Sequence, residues 1–258
     1  MIYIILVNYN SFLFTKKCIN SIFKSNFKKY KIILIDNKST DSSTDNIKKY
    51  IKNYKKNLKF ISNDINKGYA AGINLGIKYA INNKDFKYLF IINNDTLITP
   101  NCLNELVDNY KNNTIVTPSI FDYDINTKVQ SLGGVINRYM LTTKHLKKIN
   151  ISKIDYIPGT AMFFNKDIIN IIGLLPEEYF MYYEDVDWST SAKLNNISLK
   201  VNDKAIIFHK TKKKVSFSIK SRTIFNRILY CNKYFRYKLP LVIILTFFNI
   251  FFNLIRRK

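Results

Sequence analysis

Acidic residues are scarce in this 258-residue chain: 18 Asp and Glu stand against 41 Lys and Arg, and none lies between Lys204 and Lys258. Cysteine, glycine, proline and histidine are also few, at 3, 7, 5 and 2. Cys18, Cys102 and Cys231 are far apart and lack metal-ligand spacing, which excludes a disulfide framework and reads as free thiols in a reducing cytosol. No flexible linker and no internal repeat interrupts the chain. No GxGxxG follows the first expected strand and no GxxxxGK[ST] occurs, so the usual dinucleotide and P-loop phosphate cradles are absent. The loop after that strand, Asn10-Ser11-Phe12-Leu13, also lacks the glycines and cations that nucleotidyl transfer wants. The opening Met1-Ile2-Tyr3 has no basic flank and no small-residue cleavage site, so a secretory signal is not expected.

What is present is a core-forming composition, 47% hydrophobic, enough to bury an α/β domain and to exclude disorder for the bulk of the chain. Short apolar runs alternate with segments of helical period, the pattern of a mostly parallel sheet covered by helices. Strands are expected at 2–7, 31–35, 59–62, 88–93 and 115–118, and helices at 11–24, 41–54, 70–81 and 100–111. Thr99 is the expected cap of the last helix, with Pro100 at its first position. Beyond residue 120 the alternation breaks down: a strand is expected at 159–164, a helix at 184–195, and short strands at 199–201 and 205–209.

The net charge of +23 first suggests nucleic acid, but 14 of the positive charges fall in the acid-free segment from Lys204 to Lys258, leaving +9 for the first 203 residues. Residues 219–238 place Ile224, Ile228, Cys231 and Phe235 on one helical stripe, a basic amphipathic helix. Leu239 to Ile255 is apolar apart from Thr246, Asn249 and Asn253, and ends in Arg256-Arg257-Lys258. Three readings stay open for it: a helix lying in the membrane interface, a short inserted helix, or a packing surface for a partner. Basic residues interleaved with apolar ones suit anionic lipid better than a duplex. The tail is therefore read as an anchor on the inner face of the cell membrane, with no nucleic-acid partner.

Polar residues at strand ends mark the ligand crevice of an open parallel sheet. Here Asn8-Tyr9-Asn10 ends the first strand, Asp36-Asn37 the second and Asn93-Asn94-Asp95-Thr96 the fourth. A carboxylate at Asp36 suits a ribose or base, Tyr9 offers a stacking face, and Asp95 suits a divalent metal that neutralises a diphosphate. Lys67, before a helix start, could meet a phosphate. Gly72 and Gly76 allow close approach to a ligand or to another backbone. The densest acidic cluster, Glu177, Glu178, Glu184, Asp185 and Asp187, precedes Trp188 and reads either as helix-start decoration or as the seat of a general base.

These segments resemble the inverting family 2 glycosyltransferases of the GT-A fold, in particular their bacterial rhamnosyltransferase-like branch. The resemblance rests on VNYN (7–10), IDNKSTDSS (35–43), NKGYAAGINLG (66–76), INNDT (92–96), PGTAMFF (158–164), EEYFMYYEDVDW (177–188) and His209, and spans roughly residues 2–216. It implies a GT-A domain over 1–216, with a nucleotide-sugar half to about 120 and an acceptor half from about 121, followed by C-terminal helices over 217–258. It implies that Asn8, Tyr9, Asn10, Asp36, Lys67, Gly72, Asn74 and Asn94 bind the nucleotide sugar, and that Asp95 and His209 hold Mn or Mg. Asp185 would be the catalytic base, with Glu184 and Trp188 on the acceptor side. The implied activity is transfer of a sugar, with inversion, to a glycan or lipid-linked hydroxyl in bacterial surface polysaccharide synthesis. Asn93 stands where the family's metal motif often opens with an acid, and Ser191 where an arginine is common. A degraded binding protein on the same fold, or a basic nucleic-acid-binding protein, is the alternative.

Overall fold

The computed structural model describes residues 1–54, 57–148, 154–210 and 217–255. Its order begins β1 (Ile2–Asn8), α1 (Phe12–Phe23), β2 (Tyr30–Asp36), α2 (Ser43–Tyr50), β3 (Leu58–Ser62), α3 (Tyr69–Ile81) and β4 (Tyr88–Ile92). It continues through β5 (Thr96–Ile98), α4 (Cys102–Asp108), β6 (Thr114–Asp122), β7 (Val129–Ser131), β8 (Gly134–Ile136), β9 (Thr143–His145) and β10 (Ala161–Asn165). The chain then forms α5 (Lys166–Ile172), α6 (Glu184–Leu194), β11 (Ser198–His209), α7 (Phe217–Tyr234) and α8 (Leu239–Ile255).

The main sheet runs β3-β2-β1-β4-β10-β6-β11-β5, with β7 paired to β6. β1, β2, β3 and β4 are mutually parallel, β10 runs antiparallel between β4 and β6, and β11 runs parallel to β6. Period-2 side-chain alternation sorts the apolar residues into two layers. Tyr3, Ile5 and Val7 of β1 face one core, while Ile2, Ile4 and Leu6 face the other. In α1 the buried Thr15, Cys18, Ile19 and Ile22 repeat at helical spacing against the second.

All five strands expected in the first half form, and two details there differ. The helix expected from Pro100 starts only at Cys102, and Thr99 is not its side-chain cap: its hydroxyl donates to the Ile206 carbonyl at 3.1 Å, because β5 pairs antiparallel with β11. The helix expected over 41–54 ends at Tyr50 and passes into a 3-10 turn, Ile51–Tyr54. Further on, the two short strands expected at 199–201 and 205–209 are one strand, β11, with a register shift between Asn202 and Ile206.

β11 positions the site. Its last residue, His209, sits opposite Thr96 of β5, so sheet register brings a residue of the second half beside Asp95. The crossover order places β1 between β2 and β4, the switch point where a crevice opens at the carboxyl ends of the strands.

The C-terminal helices pack on the domain. α7 buries Asn226, Arg227, Tyr230 and Cys231, whereas Ile224 and Ile228 of the expected stripe are only half-buried. The buried face meets Tyr179, Tyr183 and Val186 through Tyr230 and Cys231, and the Met181 and Tyr182 carbonyls through Asn226. α8 buries Val242 and Thr246 and exposes Leu241, Ile243, Ile244, Phe247 and Phe248. Among the described residues no helix is long and apolar enough to cross a membrane. The basic Lys212, Lys213, Lys214, Arg256, Arg257 and Lys258 lie outside the described residues. All three cysteines are free and buried.

Candidate active site

The ends of β1 and β2 are neighbours, with Asn8 paired to Asp36. The Asp36 carboxylate is fully buried and accepts four hydrogen bonds: from Asn8 Nδ2 (2.7 Å), Ser39 Oγ (2.6 Å), the Ser39 backbone N–H (3.1 Å) and Thr44 Oγ1 (2.7 Å). The Asn8 Oδ1 accepts from Thr15 (2.7 Å) and from Asn94 Nδ2 (3.4 Å), and Asn94 also donates to Thr15 Oγ1 (2.8 Å). Asn8 and Asp36, expected to touch a nucleotide, are thus enclosed among the chain's own donors. They shape the loops, while Tyr9, 46% exposed, presents its ring. Asn10 exchanges two hydrogen bonds with Thr40, at 2.9 and 2.7 Å, which ties the loop after β1 to the loop after β2.

Beyond β4, His209 Nε2 lies 3.2 Å from Asp95 Oδ1, with both side chains about one-fifth exposed (17 and 23%). His209 Nδ1 meets Gln130 Oε1 at 2.6 Å; an N–H on Nδ1 donating there leaves Nε2 as an acceptor. With a neutral imidazole, Nε2, which lies 3.5 Å from Asn93 Nδ2, and the buried Asp95 Oδ1, which has no hydrogen-bond donor, face each other as two acceptors, an arrangement that suits a cation beside them. The pair therefore fits a divalent metal, with Gln130 orienting the imidazole from behind. Among the described residues no group of three or more His, Cys, Asp or Glu converges, so the rest of the coordination shell would come from a ligand's oxygens, as is usual for Mg bound with phosphates.

The acidic turn follows a different logic. Tyr182 and Tyr183 both hold left-handed backbone, with φ 73° and 74°, a conformation that costs a non-glycine residue about 1–3 kcal/mol. The chain thereby enters α6 with Glu184 and Asp185 in its first turn. Asp185 Oδ2 accepts the Gly159 N–H at 2.8 Å and Oδ1 accepts its neighbour Val186 N–H at 2.9 Å. Burial raises its pKa, and these backbone donors pull the other way. Glu184 has a buried Oε2 without a partner, and burial, then the Asp185 charge, pushes its pKa up to about 8. Burial and the neighbouring charge favour a proton on Glu184 against its own backbone contacts, while the Gly159 and Val186 N–H groups and the helix N-terminus favour an ionised Asp185.

Tyr69 joins the two regions. Its hydroxyl donates to the Gly159 carbonyl at 2.9 Å, its backbone N–H donates to Phe180 O at 2.8 Å, and burial followed by the Glu184, Asp185 and Asp95 charges holds the phenol protonated. The close contact depends on Gly68: at φ 96°, a Cβ there would stand 2.2 Å from the Phe180 carbonyl oxygen.

Other expected residues lie elsewhere. Trp188 is a core residue, 1% exposed, packed on Phe164 and donating to Gly173 O, so it does not line an open acceptor surface; as the fifth residue of α6 it falls on the face turned to the sheet. Asn74 binds Leu175 through both amide atoms and donates to Glu177, holding the turn that leads to the acidic loop. Gly72 lets α3 approach Val7, whose methyls a Cβ would meet at 3.0 and 3.1 Å. Lys67 is exposed and lines a groove of about 350 Å³ with Asn63, Asp64, Lys78 and Glu177, which adjoins the end of β2 because Asn63 donates to Asp36 O and to Asn37 Oδ1, each at 2.9 Å. Asp187 accepts from Tyr179 (2.9 Å) and Tyr234 (2.7 Å) and pairs with Lys233 (2.8 Å), which makes it an anchor for α7. Tyr69, Gln130 and Gly159 were missed; Tyr69 and Gly159 lay inside the quoted segments, whereas Gln130 carried no local signal.

A mostly parallel sheet with carboxylates at its strand ends and an acidic pair opening a later helix fits the GT-A architecture. The Glycosyl transferase family 2 profile matches residues 3–172, and the chain belongs to that family. It is 24% identical over 202 residues to the low-salt glycan biosynthesis hexosyltransferase Agl10 of Haloferax volcanii, covering 76% of this chain and 62% of that protein. The chain thus spans about three-fifths of the length of this curated relative. Among solved structures it is similar to GalNAc-T7 with UDP, GalNAc and Mn2+ (TM-score 0.75, 14% identity, 92% of this chain and 49% of that one). It is also similar to the mannosyltransferase PcManGT of Pyrobaculum calidifontis with GDP-Man and Mn2+ (0.67, 12%, 93% and 72%). A third is S. aureus TarS 1-349 with UDP-GlcNAc (0.61, 16%, 93% and 70%). These three likenesses concern the fold.

The buried proton on Glu184 has a measurable consequence. A carboxyl whose folded pKa is raised stabilises the fold fully below its ordinary pKa and loses that contribution as pH rises towards the folded value, here about 8. In Glu184→Gln this loss disappears, so the melting temperature of the variant minus that of the wild type should rise steadily from pH 5 to pH 8. A difference independent of pH would place the proton elsewhere.

Proposed function

We propose that the protein transfers a sugar from a nucleoside-diphosphate sugar to a hydroxyl of a glycan or lipid-linked acceptor, with inversion at the anomeric carbon. The observation that carries this reading is the pairing of an ionised Asp185 at the start of α6 with the Asp95–His209 couple at the strand ends, with Tyr69 within electrostatic reach of both. Tyr9 and the loops fixed by Asn8, Asn10 and Asp36 take the nucleoside, and Asn94 closes the crevice floor. Asp95 and His209 would hold Mn or Mg, which when bound neutralises the charge of the departing diphosphate. Asp185 takes the proton of the acceptor hydroxyl as its oxygen attacks, a role worth about 10² to 10⁴ in rate. Protonated Glu184 keeps a second negative charge away from the base. A single displacement of this kind inverts the configuration.

The motif pattern favours the rhamnosyltransferase-like branch and bacterial surface polysaccharide as the setting. The hexosyltransferase relative in glycan biosynthesis extends the donor class to hexoses. The exposed apolar side chains of α8 and the basic tail support a peripheral position on the cytoplasmic face of the membrane. Lipid-linked acceptors are presented there.

Asp185→Asn should lower sugar transfer from UDP- or GDP-sugars in the presence of Mn by about 10² or more, while calorimetric affinity for the nucleoside diphosphate stays near that of the wild type. Near wild-type turnover would remove Asp185 from the role. Removal of residues 239–258, which spares α7, should release the protein from vesicles containing anionic lipid. Co-sedimentation of the truncated chain would refute the anchor.

A further inference from the structure

α7 belongs sequentially to the tail, yet it reaches into the acidic turn. Asn226, only 2% exposed, donates through Nδ2 to Met181 O at 2.8 Å and to Tyr182 O at 2.7 Å. Between two carbonyls only the amide nitrogen can form both contacts, which settles the orientation of the side chain. In an extended chain successive carbonyls point to opposite sides; here one donor group holds two successive carbonyls on the same side. That is the arrangement required by the left-handed residues Tyr182 and Tyr183, which deliver the chain to Glu184 and Asp185. On the far side of the base, Asp187 is gripped by Lys233 and Tyr234 of the same helix. α7 therefore holds the chain both before and after Asp185, and it is itself fixed by Tyr230 against Thr190 and by Arg227 against Thr246.

We propose that Asn226 is a positioning residue for the Asp185 base, holding the acidic turn through its double hydrogen bond to Met181 and Tyr182. The inference rests on the glycosyl-transfer reading for its functional meaning and on the hydrogen bonds alone for its structural one. Without the amide, two carbonyls lose their donor and the turn relaxes from its left-handed conformation, moving Asp185 off the Gly159 N–H. The hydrogen bonds of the Asn226 side chain go to Met181 and Tyr182, outside β1, β2 and β4.

The test uses the full-length chain. Asn226→Asp keeps the shape and removes both donors, and Asn226→Ala serves as a second variant where the added charge impairs folding. Ser221→Ala, which deletes one exposed hydroxyl of the same helix, is the control. The expected result in the Asn226 variants is a fall in kcat of about tenfold or more, since small misplacements of a reacting group are costly, with donor KM and nucleoside diphosphate affinity within about twofold of wild type. Amide hydrogen exchange of the peptide covering residues 181–188 should quicken in the Asn226 variants and stay unchanged in Ser221→Ala. Unchanged kcat and exchange would overturn the proposal, as would a parallel loss of kcat and nucleotide binding, which marks a general role in folding. Faster exchange in a protein whose wild type transfers no sugar would sink the transferase reading and leave the brace standing.

Discussion

Two tyrosines in left-handed backbone cannot hold that conformation unaided, and the architecture around the site serves to keep them there. On one side Tyr69 donates its backbone N–H to Phe180, a contact possible only because residue 68 is glycine. On the other, Asn226 holds the next two carbonyls. The strain so contained turns the chain sharply into α6 and puts Asp185 against the Gly159 N–H. Asn74, fixed on α3, steadies the approach to the turn through Leu175 and Glu177. α3, the acidic turn and α7 thus share one clamp.

Electrostatics on the two sides of the crevice differ in kind. At the strand ends the buried Asp36 carboxylate is met by four donors and shapes loops, whereas the Asp95 oxygen facing His209 lacks a donor and is suited to a cation. At the start of α6 two adjacent carboxyls share a buried setting that raises both pKa values, and the Asp185 charge raises that of Glu184 further. The strongly positive net charge of the chain plays little direct part here, because it lies mostly in the tail.

The first half of the fold was legible because β1, β2 and β4 are short, nearly continuous apolar runs separated by helical segments and because the polar strand ends stand out against them. Asp95, Asp185 and His209 stand in the segments that carry the resemblance, and the fold brings Asp95 and His209 together. Several side chains were not legible, since their surroundings depend on distant pairings. Trp188 looked like an acceptor platform until α6 turned it towards Phe164. Asn8 and Asp36 looked like ligand contacts, but the neighbouring strand ends enclose them. The amphipathic stripe of α7 suggested lipid, while the face it buries carries Asn226, Arg227 and Tyr230, residues whose partners sit some 20 to 50 positions away in the chain. The pairing of β11 with β5, which brings His209 to Asp95, leaves no local trace in either segment.

The account stands on one ionised carboxylate acting in a single displacement, with its neighbour protonated. The anomeric configuration of the product tests this most directly. Proton NMR of the first-formed linkage, recorded with a donor of known anomeric configuration, should show the opposite configuration. Retention would contradict the account, because it requires a second displacement that Asp185 as a base does not provide.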